Sequence, residues 1–293
     1  MPFATINQPA VGMVSRRTLM RRACVAVGIA ATALPDLAIA GPEQHLFATA
    51  SPGSTLVVDH SSWDGLLKNY VKPAHDGINR VDYTAFKSAG HSALKQYLQG
   101  LQSLDPRTLD RPEQMALLIN VYNARTLDIL LDHYPIASIK EISLGGGLLA
   151  LVTGGPWKAK VLKLKGVDFS LDDIEHGVLR PLIKDNRIHY TVNCASIGCP
   201  NLNVDAFTGA TLTALLDLGA KTYINSRRGF SVRHSQVTAS SIYNWFKEDF
   251  GANDRGILDH ARKYAAPALA SALHDVTSIS DYAYDWGLND ISR

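Results

Sequence analysis

Three cysteines and four methionines in 293 residues are few. That scarcity excludes a disulfide-dense scaffold of the kind small secreted domains need. No apolar run reaches the length a membrane-spanning helix requires; the longest, Ala23–Leu34, has 12 residues. The chain has no internal repeat, no sustained heptad pattern and no phosphate-cradling glycine motif. Gly145-Gly146-Gly147 and Gly154-Gly155-Pro156 punctuate a loop region, but neither is followed by the Lys-Ser/Thr such a cradle uses. Charge of one sign is also missing, with 29 Lys and Arg against 27 Asp and Glu.

The N-terminus is patterned. Ser15-Arg16-Arg17-Thr18-Leu19-Met20 carries paired arginines, Arg21 and Arg22 follow, and Pro35 breaks the apolar run after them. Ala38-Ile39-Ala40 fits small-x-small cleavage. A basic flank, a short apolar stretch and a small-residue site predict a signal peptide over 1–40, of the twin-arginine type, cut after Ala40. Translation starts at Met1 or at Met13, since residues 1–12 add nothing to the signal. Cys24 follows Arg-Arg-Ala, the wrong context for a lipid anchor. The expected address is periplasmic or secreted. The leader takes four arginines and Asp36, leaving 25 basic and 26 acidic residues, a net of −1. No basic face then recommends nucleic acid as a partner, and no stable membrane insertion is expected once the signal is removed. The remaining 253 residues suffice for one large domain with its own core.

Residues 41–58, rich in Ala, Ser, Thr, Gly and Pro, predict a flexible arm, with a single globular domain over 59–293. Helical spacing appears over Trp63–Tyr70 and Leu94–Leu104. Asp110-x-x-Glu113 resembles a capping box, with Pro112 in the first turn, and opens a segment that is apolar on nearly every face from Met115 to Leu131. Such a helix belongs at the centre of a fold. Asn120 and Asn123 lie three apart, hence on one face, and either tie the helix to neighbouring backbone or line a polar cleft.

Lys158–Phe169 alternates as a hairpin with Lys165-Gly166 at its turn. Ser170-x-x-Asp173 caps a helix over Leu171–Arg180 that Pro181 closes, carrying Glu175, His176 and Arg180. Arg187–Asn193 alternates as a strand, with Ile188, Tyr190 and Val192 on one face and His189, Thr191 and Asn193 on the other. A helix over Thr211–Asn225, a strand over Phe230–Val237 and an aromatic helix over Ser241–Phe250 follow. Two further helices (Asp254–Tyr264, Ala268–His274) and a last strand within Val276–Tyr284 complete the chain. The predicted class is α+β: one compact domain with a central buried helix on a small, mostly antiparallel sheet.

The chemistry concentrates in Arg187–Leu202, which holds His189, Cys194 and Cys199. A thiolate is a good nucleophile near neutral pH when an imidazole or a helix N-terminus lowers its pKa. Cys199 is the first candidate, ahead of a helical segment, and Cys194 the second. His189 is the candidate base, oriented by Asn193, Glu175 or Asp249. Along a strand, His189 lies too far from Cys194 for contact, at roughly 3.3 Å per residue, so the loop must fold back. Three rivals stand beside thiol catalysis. The cysteines close a disulfide in a binding or scaffold module, or His176, His189, Cys194 and Cys199 bind zinc, although the spacing matches no familiar finger, or one cysteine is a buried core thiol with no role. No cofactor motif is present.

Five landmarks in order, YVKPAHDGINRVDY, LLINVYNARTL, FSLDDIEHGVLRP, RIHYTVNCASIGCPNL and NWFKEDF, resemble the domain of unknown function 547 family from about Trp63 to Phe250. The family often has a large aromatic where Leu118 stands. The resemblance implies a shared fold, with a distant analogy to papain-like or transglutaminase-like architectures, and no assigned reaction. It carries Asn120, Tyr122 and Asn123 over as the central-helix motif. Glu175, His176 and Arg180 follow as the next helix motif, His189, Cys194 and Cys199 as the strand-loop motif, and Trp245 and Asp249 as the late aromatic motif. The expected activity is a thiol-dependent hydrolase or acyl transferase acting on an amide, peptide or thioester, with a small molecule or peptide of the cell envelope as ligand.

Overall fold

A computed structural model describes residues 41–144, 156–234 and 236–293. The predicted leader and the Gly145–Gly155 loop lie outside the described residues. The fold is α+β, with its strands divided among small sheets packed around helices.

Helix α1 (Pro42–Ala48) stands where an arm was expected. Its Leu46 and Phe47 are buried, and Phe47 meets Phe169 edge-on at 6.0 Å. Arg111 donates to the Phe47 carbonyl at 2.7 Å. Composition suggested disorder, but one buried aromatic and one buried guanidinium contact tie the segment down. Helix α2 (Ser61–Tyr70) leads into the antiparallel pair β1 (Val71–Lys72) and β2 (Arg80–Val81). A short turn α3 (Tyr83–Ala85) and helix α4 (His91–Gly100) follow.

Helix α5 (Arg111–His133) is the predicted central helix. Asp110 caps it, accepting from Glu113 N–H at 2.9 Å. The return half of the box does not form. Glu113 instead accepts from Val58 N–H at 2.8 Å and from Gly209 N–H at 2.6 Å, stitching two distant loops to the helix start. Leu117, Leu118, Ile119, Val121, Leu130 and Leu131 are wholly buried, and each contributes about 2–5 kcal/mol against truncation to alanine.

The hairpin β3 (Leu162–Leu164) and β4 (Val167–Phe169) turns at Lys165-Gly166, both at positive φ. Ser170 and Asp173 form the reciprocal box, with Ser170 N–H to the carboxylate at 2.6 Å and Asp173 N–H to the hydroxyl at 3.0 Å. The helix they open does not stop at Pro181. It winds as a π-type helix through Asp173–Ile183 and ends at Lys184 with φ 55°. The wider turn tolerates the proline ring and its missing N–H.

Arg187–Asn193 is not a strand. Asn186–Tyr190 is a 3₁₀ turn capped by the Asp185 carboxylate, which accepts from Arg187 N–H at 2.9 Å. Alternation suggested a two-sided strand, yet every residue from Ile188 to Asn193 is buried. With both faces inside, period two carries no information about exposure. The expected strand Phe230–Val237 is a hairpin of β5 (Phe230–Arg233) and β6 (Gln236–Ser240), following helix α6 (Leu212–Ile224). β7 (Asp281–Ala283) joins β6 in parallel. Helix α7 (Ser241–Trp245) gives way to a 3₁₀ turn, Lys247–Phe250, ended by Gly251 at φ 96°. Helices α8 (Asp254–Tyr264) and α9 (Pro267–Leu273) match the predicted pair.

Two apolar clusters form the interior, one around α5 and one around α6, β5, β6, α7 and α8. Ile188 belongs to the first and Tyr190 to the second, so the turn bearing His189 lies where they meet. Among the described residues no helix is long and apolar enough to cross a membrane.

Candidate active site

The loop after the 3₁₀ turn is held in a single shape by amides. Asn193 accepts from Ala195 N–H at 2.7 Å and donates to the Pro200 carbonyl at 2.6 Å, closing the loop on itself. Ala195 has φ 63°, a left-handed conformation that costs a non-glycine residue about 1 kcal/mol or more and persists only under such constraint. Asn123 of α5 donates to the Thr191 carbonyl and accepts from Asn193 N–H, both at 2.8 Å. The C-terminal segment clamps the other side. Ile197 N–H reaches the Gly287 carbonyl at 2.7 Å, Gly198 N–H the Asp285 carbonyl at 2.8 Å, and Asn289 N–H the Ala195 carbonyl at 3.0 Å. A Cβ on Gly198 would lie 2.8 Å from the Asp285 nitrogen, so only glycine fits there. Arg228 donates to the carbonyls of Ile197 at 3.1 Å and Cys199 at 2.6 Å, and to the Asn201 side chain at 2.9 Å.

This frame brings the two sulfurs together. Both are free thiols, Cys194 half-buried and Cys199 buried. Both lie 3.0 Å from the Tyr284 hydroxyl. Cys199 Sγ also accepts from Cys194 N–H at 3.0 Å, and the Cys194 thiol and Ser196 N–H are near enough to act on its electrostatics. Burial pushes the Cys199 thiol up. The hydrogen bonds from the Cys194 thiol, the Tyr284 hydroxyl and the two peptide N–H groups outweigh that, and its pKa falls below the ordinary value. Cys194 moves the other way: its hydrogen bond to Cys199, followed by burial, holds its proton on. The surroundings of Cys199 favour its thiolate form more than those of Cys194 do.

His189 is elsewhere engaged. Its Nε2 lies 2.7 Å from Asp249 Oδ2, and its Nδ1 faces Glu175 Oε1 at 3.6 Å. The ring stacks on Phe246 at 4.2 Å. Arg180 grips the same Asp249 through Nε at 2.5 Å and Nη2 at 3.1 Å, and its guanidinium lies over Phe246. Burial pushes the imidazole down, but the carboxylates of Asp249 and Glu175 overcome it and raise its pKa. Glu175, destabilised as an anion by burial, is held below the usual range mainly by His189. The Asp249 carboxyl is pulled well below its usual range, first by the His189 hydrogen bond and also by Arg180. Asp249 engages His189 at Nε2, and Nδ1 is left without a hydrogen-bond partner. Among the described residues no hydrogen bond joins the imidazole to either sulfur, so His189 is not seated against a thiol as the expected base would be.

The other candidates divide between the two clusters. Tyr122 is buried beside Glu175 and close enough to both sulfurs for their charges to raise its pKa, after the larger effect of burial. Asn120 donates to and accepts from the backbone of Phe207, at 2.7 and 3.0 Å. Asn120 and Asn123 therefore tie the helix to neighbouring backbone, the first of the two roles open to them. His176 sits on the rim, 3.3 Å from Arg180 Nη1. Trp245 is 46 % exposed and packs against Tyr284 at 4.8 Å and Trp286 at 5.6 Å, forming an aromatic ridge beside the sulfurs.

Tyr284, Ser196 and Arg228 were not found by sequence reasoning. Tyr284 follows Cys199 by 85 residues, and its only local signal is the aromatic run Tyr282-Ala283-Tyr284-Asp285-Trp286. The zinc reading needs His176 and His189 beside the sulfurs, whereas His189 faces carboxylates and His176 faces Arg180. Among the described residues, His91, Asp128 and Asp132 gather as possible metal ligands. Lys95 already pairs with both of these aspartates and Arg125 with Asp128, so the group is neutralised from within.

Residues 106–224 match a family model described as "Protein of unknown function, DUF547". The matched span runs from the turn before α5 to the end of α6, and holds Asn120, Tyr122, Asn123, Glu175, His176, Arg180, His189, Asn193, Cys194 and Cys199. Trp245, Asp249, Arg228 and Tyr284 fall beyond it. No curated protein and no solved structure matches the chain.

Proposed function

We propose that the protein is an exported thiol-dependent hydrolase or acyl transferase with Cys199 as its nucleophile. One observation carries this reading: the Cys199 sulfur lies 3.0 Å from both the Tyr284 hydroxyl and the Cys194 N–H, two contacts that favour the thiolate without a histidine base. A pre-formed thiolate needs no proton abstraction before attack. In the proposed reaction Cys199 Sγ adds to the carbonyl carbon of an amide, peptide or thioester. The Cys194 thiol or the Tyr284 hydroxyl then passes a proton to the departing group, leaving an acyl thioester on Cys199. Water, or a second acceptor, releases the acyl group. Cys199 is 3 % exposed, so the acyl portion is narrow where it meets the sulfur. Trp245 and Trp286 offer an apolar ridge for the rest of the ligand. The export reading rests on the paired arginines, the short apolar run and Ala38-Ile39-Ala40.

The test is covalent. Full-length protein is incubated with a small activated thioester and mapped by peptide mass spectrometry. Acyl label on Cys199, retained in Cys194→Ser and absent from Cys199→Ser, supports the reading. Label on no cysteine, or equal label in Cys199→Ser, contradicts it.

A second reading has its own observation: two sulfurs five residues apart share the Tyr284 hydroxyl at 3.0 Å each, a placement that suits a binding or scaffold module stapled by a Cys194–Cys199 disulfide. The same protein, assayed without reductant, shows no free thiol at either position if that reading holds.

A further inference from the structure

We infer that Cys194 and Cys199 form a reversible dithiol–disulfide pair, in which hydrogen peroxide oxidises Cys199 and Cys194 closes the bond. The inference rests on Cys199 being the reactive thiol, and adds to that reading an oxidant and a partner sulfur.

The geometry assigns the two sulfurs different parts. Cys199 is 3 % exposed, too covered for a protein disulfide to reach, which leaves a small oxidant as its reagent. Cys194 is half-buried, donates its N–H to Cys199 Sγ at 3.0 Å, and shares Tyr284 with it. The chain between them is pre-organised. Asn193 fixes both ends of the loop, the Gly287 and Asp285 carbonyls fix its middle, and Arg228 fixes the Cys199 carbonyl. With both sulfurs already on one hydroxyl, joining them needs side-chain rotation more than loop movement.

The electrostatics set the order of events. While Cys199 is a thiolate, its charge opposes ionisation of Cys194. In the first step the Cys199 thiolate attacks one peroxide oxygen, the O–O bond breaks, and hydroxide leaves and is protonated to water. Sulfur is oxidised by two electrons to a neutral sulfenic acid. Loss of the Cys199 charge removes the repulsion that kept Cys194 protonated. Cys194 then attacks the sulfenic sulfur, its proton joins the departing hydroxide as a second water, and the S–S bond forms. Two thiols and one peroxide give one disulfide and two waters. The product has no nucleophile at Cys199, so oxidation silences the proposed acyl chemistry, and a small thiol reductant restores it.

The test uses the full-length reduced chain, with peptide mapping to separate Cys24. Stoichiometric hydrogen peroxide is expected to give a Cys194–Cys199 crosslinked peptide that dithiothreitol reverses. In Cys194→Ser the sulfenic acid accumulates on Cys199 and is trapped by dimedone. Accumulation of sulfenic or sulfinic acid on Cys199 in the unsubstituted chain, with Cys194 still free, overturns the inference. So does faster dimedone labelling of Cys194 in Cys199→Ser than of Cys199 in Cys194→Ser. A Cys199 that resists iodoacetamide before any oxidant is added overturns the nucleophile reading and this inference together. A Cys199 that alkylates readily but never crosslinks overturns this inference alone.

Discussion

Replacing Asn123 with alanine tests whether the central helix sets the chemistry of the thiol loop. The amide makes two buried hydrogen bonds, to the Thr191 carbonyl and from Asn193 N–H. Each contributes about 1 kcal/mol net, and each partner left unsatisfied in the interior costs a further fraction of its desolvation, about 1–3 kcal/mol. A total loss of about 2–4 kcal/mol follows, which lowers the melting midpoint by roughly 4–16 °C in a domain of this size. Stability alone does not distinguish a site residue from a core residue, so Asn120→Ala is the companion. It removes the same two kinds of bond from the same helix, but at Phe207, away from the sulfurs. Both variants are expected to melt earlier by similar amounts. Only Asn123→Ala should move the pH midpoint of Cys199 alkylation upward, because only there does the frame around the Cys194 and Ser196 N–H groups loosen. Equal midpoints in both variants, or an unmoved midpoint in Asn123→Ala, would refute the claim that α5 positions the nucleophile.

Other perturbations separate the two clusters. Asp249→Asn leaves Arg180 and His189 without their shared carboxylate and should cost about 3–5 kcal/mol by thermal or urea unfolding, with little change in thiol titration. Arg228→Met should raise the alkylation midpoint of Cys199, and Arg228→Lys should restore it in part, since Arg228 brings both charge and two carbonyl contacts to the loop. Stability should peak near pH 6.5. His60 and His260, held at about 4 by burial, favour the neutral form, so their contribution is lost as pH falls from 6.5 toward 4. His189, raised by its carboxylates, contributes fully below about 6.5, and its contribution is lost as pH climbs through its folded-state value. Urea midpoints across pH check this, and His189→Gln should flatten only the alkaline limb.

Local rules made much of the frame legible. Asp110 as a cap, Lys165-Gly166 as a hairpin turn and the Ser170–Asp173 box are decided by a few neighbouring residues, and they stand as read. The α5 core face follows from composition, because apolar residues fill most of its turns, although Asn120, Asn123, Thr126 and Asp128 are buried with them. What sequence could not show depends on distant partners. The turn bearing His189 alternates like a strand, but the chain is buried from Ile188 to Asn193, with Ile188 and Val192 in one apolar cluster and Tyr190 in the other. The pairing of His189 with Glu175 and Asp249 joins three separate elements, and the Tyr284 hydroxyl reaches the sulfurs only through the C-terminal clamp. The clustering of His189 with two cysteines along the chain suggested a shared proton; in space His189 contacts Asp249 while both sulfurs contact Tyr284.

The central claim is that the protein's own donors hold Cys199 as a thiolate. Its most direct test is the rate of iodoacetamide labelling at Cys199, resolved by peptide mass spectrometry as a function of pH, in reduced full-length protein. The account predicts a midpoint below that of a free thiol, about 8.5, with Cys199 labelled ahead of Cys194. A midpoint at or above the free-thiol value, or earlier labelling of Cys194, would contradict it.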